Sequence, residues 1–579
     1  MNTTRPCTSK KSAASYAPKV IAIRGAIQTS LFLCLALALS GCGHIGYKPR
    51  GFDIPPVKVS AENANKSGDQ PRKIVIFFDG TANDEGSDTN VKRLHSLITL
   101  QDRKDIASLY ILGVGTNVDP IGLAMGSGIN ARVTLAYEFI LNHYQHKTAD
   151  MKADEIYIFG FSRGAFAARI LTTMLHYAGI VKETGTPDKT RHTVLIPWSA
   201  DDCAVKQVAK PSTQRRFTPK ELSELVHSAT FPGFNCGDAD HYQDRSRYLK
   251  ASLAINDLES VVGADNSISI PVKVLGLWDT VEALGSPRVV KNLMIPFRST
   301  PPVTNVDDPN LRYGEKLCNV EVAYHAMSID DNRATIFTPL LLSRQHLFVG
   351  CPNGKGLLDA ARKIKQGSLQ EVWFSGAHSD VGGGYANGAL SGVSLNWMLN
   401  RIKCKGLLSN VVCPAGNDES ADAPFVREDF FGGSHDPTAG LWGFYPKVSR
   451  DLVTYALDEK SIWSEKSASP KSASAIPDPP QSAPLCVHES VFERRRLIGQ
   501  SDNDYDQLFL NVKPEGTGQT AIVKLVYGNY GKGRSWQWLR QLKPQETATV
   551  KSRLEIQSYP KCSFMQAATV IQSDPLGKN

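Results

Sequence analysis

The sequence predicts an α/β fold built on a doubly wound, mostly parallel sheet, and two observations carry this prediction. Apolar, β-prone runs end in polar or glycine-rich loops at residues 73–78, 156–159 and 272–278. Unbroken apolar runs of this length suit strands that a parallel sheet buries on both faces. Segments with helical spacing of apolar residues separate the first runs, and this alternation indicates a doubly wound sheet with later insertions.

The first predicted strand, Lys73–Phe78, ends at Asp79, Gly80 and Thr81. In open α/β sheets the loops at the carboxyl ends of strands face the ligand, so we predict that Asp79 lies in a substrate-facing loop. The alternative is a turn in which Asp79 caps the next segment.

A second strand is predicted at residues 107–114, before a glycine-rich loop at 122–128. That loop lacks the Gly-Lys-Ser/Thr ending of a P-loop, which favours a flexible loop beside the site over a phosphate cradle. Residues 129–146 then carry apolar residues at helical spacing.

The third strand runs into Gly160-Phe161-Ser162-Arg163-Gly164, a G-x-S-x-G, and then into an apolar helical stretch. A serine on such a strand-turn-helix needs strained torsions, and the two glycines let strand and helix pass without Cβ clashes. Ser162 is thus a candidate nucleophile, with the amide of Arg163 and the helix N-terminus facing a developing oxyanion. The alternative is a glycine-rich turn whose serine merely caps a helix.

Irregular segments and sheet signals alternate in the middle of the chain. Residues 182–270 are polar and irregular apart from a helical patch near 219–231, and we predict a cap or lid there. The strand pattern returns at Val272–Trp278, which puts Asp279 at a carboxyl strand end. Residues 324–331 predict a helix followed by a capped turn.

A further strand, Leu369–Phe374, leads to His378, Asp380 and three consecutive glycines around Gly383. The glycines give a backbone that can approach a ligand closely. Asp380 is too near His378 in sequence to reach the far imidazole nitrogen, so we expect it to hold the loop or an ion.

An activated serine needs a base within hydrogen-bond reach and a carboxylate that orients the base. Ser162, Asp279 and His378 follow the chain order of α/β-hydrolases, each after a strand. We therefore predict an α/β-hydrolase-like fold in which these three side chains form a catalytic triad. The first-strand loop would supply a second oxyanion donor at Gly80 or Thr81.

Structural roles are the alternatives to these catalytic assignments. His325 lies in the predicted helix and His435 in a loop-rich segment, positions where histidines are more often core or surface residues. Asp279 could be a plain strand-end cap.

The N-terminus predicts export and lipid attachment. Basic residues precede an apolar run at 30–39 that is too short for a comfortable membrane span, as in a signal peptide. The run ends in Leu39-Ser40-Gly41-Cys42, which looks like a bacterial lipobox with Cys42 as the lipidated residue; an uncleaved anchor or an ordinary signal is the alternative. Gly43 follows instead of Asp, so we expect a cell-envelope lipoprotein at the periplasmic face of the outer membrane.

The chain divides into five predicted regions. They are a signal peptide (1–41), a flexible tether (42–70), a catalytic domain (71–400) with a lid insertion at about 182–270, a loop-rich insertion (401–485) and a small β-rich C-terminal region (486–579).

Composition adds a few exclusions. The net charge of +8 over 579 residues is small and spread out, and without a compact basic cluster we expect no nucleic-acid partner. Among the 11 cysteines, Cys404 and Cys413 are close enough for a local disulfide. No C-x-x-C or Cys/His cluster indicates a metal, and we expect no cofactor. The oligomeric state stays open.

Four motifs together resemble the catalytic domain of type VI lipase effectors, first family, within a broad bacterial set of uncharacterised α/β hydrolases. They are FFDGT at 77–81, GFSRGA at 160–165, LWDTV at 277–281 and HSDVGGGY at 378–385. The likeness covers about residues 72–400, plus VHESV at 487–491. Members implicated as phospholipases use a Ser/Asp/His triad on glycerophospholipid esters, which implies those roles for Ser162, Asp279 and His378. The secreted effectors lack a lipobox, a departure that speaks against delivery.

Residues and resemblance together predict a membrane-tethered serine ester hydrolase that works through an acyl-enzyme, a phospholipase or lipase acting on membrane lipids. An esterase or peptidase for small soluble substrates would use the same three side chains. A non-catalytic envelope lipoprotein that keeps a hydrolase scaffold is the third possibility.

Overall fold

A computed structural model of the chain describes most of residues 71–409 and short pieces elsewhere, all in the compact unit Pro55–Asn579. The longer described ranges are 71–80, 88–113, 128–147, 152–184, 217–231, 242–263, 266–281, 313–331, 337–352, 356–385 and 388–409. The short pieces are 59–60, 333, 411, 413, 425–426, 428, 432, 434–435, 437, 450, 461–462, 483–488, 490–491, 509–512, 523–527, 537–541 and 554–559.

Fourteen strands occur in the described ranges. They are β1 Val59–Ser60, β2 Lys73–Phe78, β3 Ile106–Ile111, β4 Glu155–Phe161, β5 Val181–Glu183, β6 Leu258–Ser260, β7 Val272–Trp278, β8 Val320–Ser328, β9 Leu369–Phe374, β10 Ala483–His488, β11 Phe509–Val512, β12 Val523–Tyr527, β13 Gln537–Gln541 and β14 Leu554–Tyr559. The described helices are α1 Asn90–Thr99, α2 Ile129–His143, α3 Arg163–Tyr177, α4 Pro219–Thr230, α5 Tyr242–Ile255, α6 Leu357–Lys365, α7 His378–Gly382 and α8 Ser391–Ile402.

The main sheet has the strand order β1-β3-β2-β4-β7-β8-β9-β10-β14. Its six central strands, from β3 to β9, pair in parallel. The chain moves outward from β2 first to β3 and then, on the other side, through β4 to β9, which is the doubly wound pattern. The predicted α/β-hydrolase-like fold class is therefore confirmed.

Helices cover both faces of this sheet, and the alternation of side chains along β2 shows how. Ile74, Ile76 and Phe78 pack in one buried cluster with α2 and α3, whereas Val75 and Phe77 pack in a second cluster with α1 and α8. Because both faces of β2 are buried, the strand carries no polar alternation. This is why an unbroken apolar run was a reliable signal.

The predicted strands at 73–78, 272–278 and 369–374 match β2, β7 and β9 residue for residue. The predicted helix at 324–331 is wrong, because Val320–Ser328 forms β8 between β7 and β9. Its alanine and methionine favour helices in isolation, but pairing with strands on both sides overrides local propensity.

Part of the predicted lid insertion packs against the body of the domain. The expected helical patch near 219–231 is α4, which begins with a capping box between Thr218 and Glu221. Leu225 and Leu253, from α4 and α5, lie in the same buried cluster as α2 and α3. At its two ends the insertion also contributes to β5 and β6, which pair antiparallel. A cap over the pocket stays a prediction for residues 185–216 and 232–241, which lie outside the described ranges.

The C-terminal strands divide between two sheets. β10 and β14 pair in parallel with each other, and β10 also pairs with β9 at the edge of the main sheet. β11, β12 and β13 form a separate antiparallel sheet. The predicted disulfide Cys404–Cys413 is confirmed, and a second one joins Cys318 to Cys351.

The predicted signal peptide and the lipidation site Cys42 lie outside the described residues. Within the predicted tether, Val59 and Ser60 form β1, which pairs antiparallel with β3. None of the helices in the described part of the chain has the length and hydropathy needed to span a bilayer.

Candidate active site

Ser162 lies at the turn between β4 and α3, at the carboxyl edge of the sheet. Its φ of 59° and ψ of −128° are strained for a residue with a side chain. The backbone is held in place because the Ser162 amide donates to the carbonyl of Trp278 at 3.0 Å and the Phe166 amide donates to the Ser162 carbonyl at 3.3 Å. The side chain is therefore presented from a fixed, strained turn.

Two glycines make this turn possible. A Cβ on Gly164 would lie 2.4 Å from the carbonyl oxygens of Phe78 and Asp79, at the end of β2. A Cβ on Gly160 would lie 2.6 Å from the Cα of Ala165. Both positions exclude any side chain, so the two glycines of the G-x-S-x-G motif fit the close passage that the sequence predicted.

The structure brings Ser162, His378 and Asp279 into one hydrogen-bonded chain. His378 Nε2 lies 2.7 Å from Ser162 Oγ, and His378 Nδ1 lies 2.5 Å from Asp279 Oδ2. Because an ionised carboxylate can only accept, the proton of the neutral ring belongs on Nδ1, which leaves Nε2 to accept from the serine. All three residues are buried.

The charges in this chain suit a base that is neutral near pH 7. Burial lowers the pKa of His378, and the hydrogen bond and charge of Asp279 only partly oppose that effect. Burial would raise the pKa of Asp279, but the charge of Arg450 and the hydrogen bond from His378 hold it well below its ordinary value. An ionised aspartate thus faces a neutral imidazole that can take up a proton.

Asp279 has two further partners besides His378, and the sequence did not reveal them. The guanidinium of Arg450 donates to both carboxylate oxygens, from Nη1 to Oδ1 at 2.6 Å and from Nη2 to Oδ2 at 3.0 Å. The amide of Ser328 also donates to Oδ1, at 2.9 Å. Arg450 is fully buried, and no motif surrounds it in the loop-rich stretch of sequence where it occurs.

Asp380 and Asp331 hold the His378 loop. Asp380 Oδ2 accepts from the amides of Ala377 and His435, each at 3.0 Å, and Oδ1 lies 2.6 Å from His435 Nδ1. Asp331 Oδ2 accepts from the amide of His378 at 3.2 Å. Of the two roles predicted for Asp380, the geometry supports holding the loop, and His435 serves as its partner.

His325 lies on β8, not in a helix, and it is fully buried. Its Nε2 accepts from the amide of Thr280 at 3.0 Å, and its Nδ1 lies 3.6 Å from a carboxylate oxygen of Glu371. These contacts fit the core role that the sequence favoured for it.

Asp79 lies at the end of β2 and is engaged within the protein. Its Oδ1 accepts from the Gly80 amide at 2.6 Å, and its Oδ2 accepts from Thr89 Oγ1 at 2.7 Å and from the hydroxyl of Tyr110. Burial raises its pKa to about 6, against the opposing hydrogen bonds from Tyr110, Thr89 and Gly80. These contacts support the alternative prediction, in which Asp79 shapes the turn, more than the prediction that Asp79 contacts the substrate.

The same contacts bear on the predicted oxyanion donors. The Gly80 amide donates to Asp79, so in this geometry it is not directed at Ser162, and Thr81 lies outside the described residues. Arg163 begins α3 directly after the serine, and burial lowers the pKa of its buried side chain to about 9. A role for its amide stays a prediction.

The glycines after His378 approach protein backbone. Gly383 has φ of 83° and forms an antiparallel bridge with Thr89, and its Cβ would lie 2.7 Å from the amide nitrogen of Asn90. The close approach we predicted to a ligand is thus made to the loop before α1. The His378 loop and the Asp79 network are joined there.

A known protein family matches the part of the sequence that contains the hydrogen-bonded residues Ser162, His378 and Asp279. The family "T6SS, Phospholipase effector Tle1-like, catalytic domain" matches residues 72–401, which is more than half of the chain. The chain belongs to this Tle1-like family. The Tle1-like region contains Ser162, Asp279 and His378, whereas His435 and Arg450 follow its end.

Individual relatives are more distant. An uncharacterized protein of Saccharomyces cerevisiae, YEL023C, is 22% identical over 407 residues, which cover 58% of the Tle1-like chain and 58% of the yeast protein. The chain thus spans less than two thirds of that curated relative.

Two solved structures are similar over part of their length. The Tle1 effector bound to the VgrG spike of the type VI secretion system is 16% identical, with a TM-score of 0.22, over 57% of this chain and 58% of the effector. The butyrate-bound esterase Est2 of the planctomycete Thermogutta terrifontis is 12% identical, with a TM-score of 0.26, over 62% and 98%. We draw nothing from either likeness, because both TM-scores are below 0.5.

Possible metal ligands were sought among the side chains of the Tle1-like chain. Across the described ranges, His, Cys, Asp and Glu side chains form no group of three suited to a metal ion. The chemistry that the visible residues support is proton transfer between a hydroxyl and an imidazole, next to a carboxylate held by arginine.

Proposed function

We propose that this Tle1-like protein is a serine ester hydrolase that acts on membrane phospholipids or related lipids through an acyl-enzyme. One observation carries the proposal, the unbroken chain from Ser162 Oγ through both nitrogens of His378 to Asp279, with distances of 2.7 and 2.5 Å. The strained turn at Ser162 adds support, because it projects the hydroxyl above the sheet edge as a nucleophile elbow does.

In the proposed reaction, His378 Nε2 takes the proton of Ser162 while Oγ attacks the ester carbonyl. Asp279 stabilises the imidazolium that forms, and the amide of Arg163 and the start of α3 face the developing oxyanion. Collapse of the tetrahedral intermediate breaks the ester bond, and His378 returns the proton to the leaving alcohol. A water molecule, activated by the same imidazole, then hydrolyses the acyl-enzyme and regenerates Ser162.

The choice of a lipid substrate rests on family membership, since the family description names phospholipase effectors. The predicted lipobox at Cys42 supports the same choice, because attachment to a bilayer would raise the local lipid concentration. We propose attachment at the periplasmic face of the outer membrane. Cys42→Ser is expected to move the protein from the membrane to the soluble fraction after cell lysis, and retention in the membrane fraction would remove this part of the proposal.

A fluorophosphonate probe tests the core of the proposal without knowledge of the substrate. We expect the full chain to be labelled once, with the modified peptide mapping to Ser162. No labelling, or labelling of another serine, would contradict the assignment.

A substrate panel then separates the alternatives. Phospholipid vesicles, short-chain esters in solution and peptides would be compared by the ratio of kcat to KM. We expect the vesicles to be preferred. A preference for soluble esters or peptides would favour the esterase or peptidase alternative, and a labelled serine without turnover would favour a binding protein on a hydrolase scaffold.

A further inference from the structure

We propose that Arg450 is a positioning residue for the hydrolytic reaction, because its guanidinium holds the carboxylate of Asp279 in the orientation that accepts the hydrogen bond from His378. This inference rests on the proposed function and deepens it. Arg450 lies beyond the family-matched region, which ends at residue 401, so the site would be completed by a residue from the predicted loop-rich insertion.

The contacts of Arg450 fix its own guanidinium as well as the carboxylate of Asp279. Besides the two bonds to Asp279, its Nη1 donates to the carbonyl of Ser328 at 2.6 Å and its Nη2 donates to the carbonyl of Phe337 at 2.9 Å. The ring of Phe337 packs edge-on against the imidazole of His378, with 5.0 Å between centroids. One guanidinium therefore joins the carboxylate, the end of β8 and a wall of the histidine pocket.

The planar fork matters because four donors share two carboxylate oxygens. Oδ1 accepts from Ser328 and Arg450, and Oδ2 accepts from His378 and Arg450. A bidentate arginine fixes the plane of a carboxylate, whereas a lysine ammonium acts as a single point of attachment. Loss of the fork would let the Asp279 carboxylate rotate away from His378 Nδ1.

The charge of Arg450 has a second consequence. A buried cation beside Asp279 opposes proton uptake by the His378–Asp279 pair. Removing the cation is therefore expected to raise the apparent pKa of the pair, so that the reaction of Ser162 is lost at a higher pH. Among the described residues, the other charged or titratable groups that face this pair are Asp331, Arg333 and His325, together with Ser162 as hydrogen-bond partner. Their identities are unchanged in an Arg450 variant, and Asp331 also feels the charge of Arg450, so a shift of the acid limb is expected to report the loss of that charge.

The experiment compares rates of fluorophosphonate labelling at Ser162 in the full chain from about pH 5 to about pH 9. For Arg450→Met we expect a loss of about 100-fold in the labelling rate and a shift of the acid limb upward by about one pH unit or more. For Arg450→Lys, which keeps the charge, we expect a smaller loss of rate and an acid limb close to that of the wild type.

Arg72→Met is the matched control, because Arg72 also donates through two nitrogens to a buried aspartate, Asp154, away from Ser162. It is expected to lower thermal stability but to leave the labelling rate and the acid limb unchanged. Should Arg450→Met fail to fold, Arg450→Gln carries the same test, because its side chain is also neutral but keeps donors for the carbonyls of Ser328 and Phe337, and the same upward shift of the acid limb is expected.

The outcomes separate this proposal from the proposed function. A wild-type chain that is not labelled at Ser162 would overturn the proposed function itself. A labelled wild type with folded Arg450 variants that match it in rate and acid limb would overturn only the role of Arg450. A loss of rate in Arg450→Met without any shift of the acid limb would also overturn it, since packing alone would explain that result.

Discussion

Replacing Ser162 by alanine is expected to lower turnover of the preferred lipid or ester by about 10⁶-fold, which is the scale seen when a triad nucleophile is removed. The variant keeps the glycines on both sides of the turn, and alanine tolerates φ of 59° no worse than serine does. The hydroxyl itself makes one hydrogen bond to His378, so the fold should persist while the nucleophile is gone. The measurement is kcat on the substrate chosen by the panel, with circular dichroism and a thermal melt to check folding.

Ser223→Ala provides a matched control for this result. Ser223 is a fully buried serine on α4, and its hydroxyl donates to the carbonyl of Thr134 on α2. Its loss should cost about 1 kcal/mol of stability and leave kcat unchanged. A Ser162→Ala protein that retained activity within tenfold of the wild type would end the assignment of Ser162 as nucleophile.

The strands and the serine turn could be predicted because their signals are local. β2 and β7 are mainly apolar runs that end at an aspartate, β9 ends in the apolar residues Val-Trp-Phe, and the turn at Ser162 is specified by five consecutive residues. The pairing of Asp279 with His378 spans 99 positions, yet chain order and strand ends sufficed to select both. Parallel strands place their carboxyl ends at one edge, so order along the chain translates into proximity.

Other features depend on partners that a local pattern cannot show. β8 carries Ala326 and Met327, which favour helices, and it became a strand because β7 and β9 lie on either side. Arg450 lies 171 positions from Asp279, in a stretch without regular periodicity. Arginines in such stretches are usually exposed, and only the fold reveals that this one is buried against a carboxylate.

Asp279→Asn is expected to lower kcat by about 10⁴-fold, and the hydrogen bonds around the carboxylate explain why. Three neighbouring groups, the Ser328 amide, the Arg450 guanidinium and the His378 ring, donate four hydrogen bonds to the carboxylate, two to each oxygen. An amide must turn its own NH₂ toward one of these pairs. Oδ1 faces two groups that cannot give up their protons, the amide of Ser328 and Nη1 of Arg450, whereas Oδ2 faces Arg450 Nη2 and His378, whose ring can change tautomer. The NH₂ should therefore take the Oδ2 side and face His378. The imidazole would then accept at Nδ1 and carry its proton on Nε2, where it cannot take the proton of Ser162.

This tautomer argument distinguishes a catalytic loss from a loss of stability. Leaving Arg450 with a neutral partner should also destabilise the fold by about 3 to 5 kcal/mol, so kcat must be measured well below the melting temperature. Asp154→Asn is the matched control, because Asp154 likewise accepts from an arginine and from the backbone amides of Arg72 and Gln145. It should lose stability but keep kcat. If both aspartate variants lost stability alike and Asp279→Asn retained wild-type kcat, the orientation of His378 by Asp279 would have no part in the reaction, and its burial against Arg450 would be purely structural.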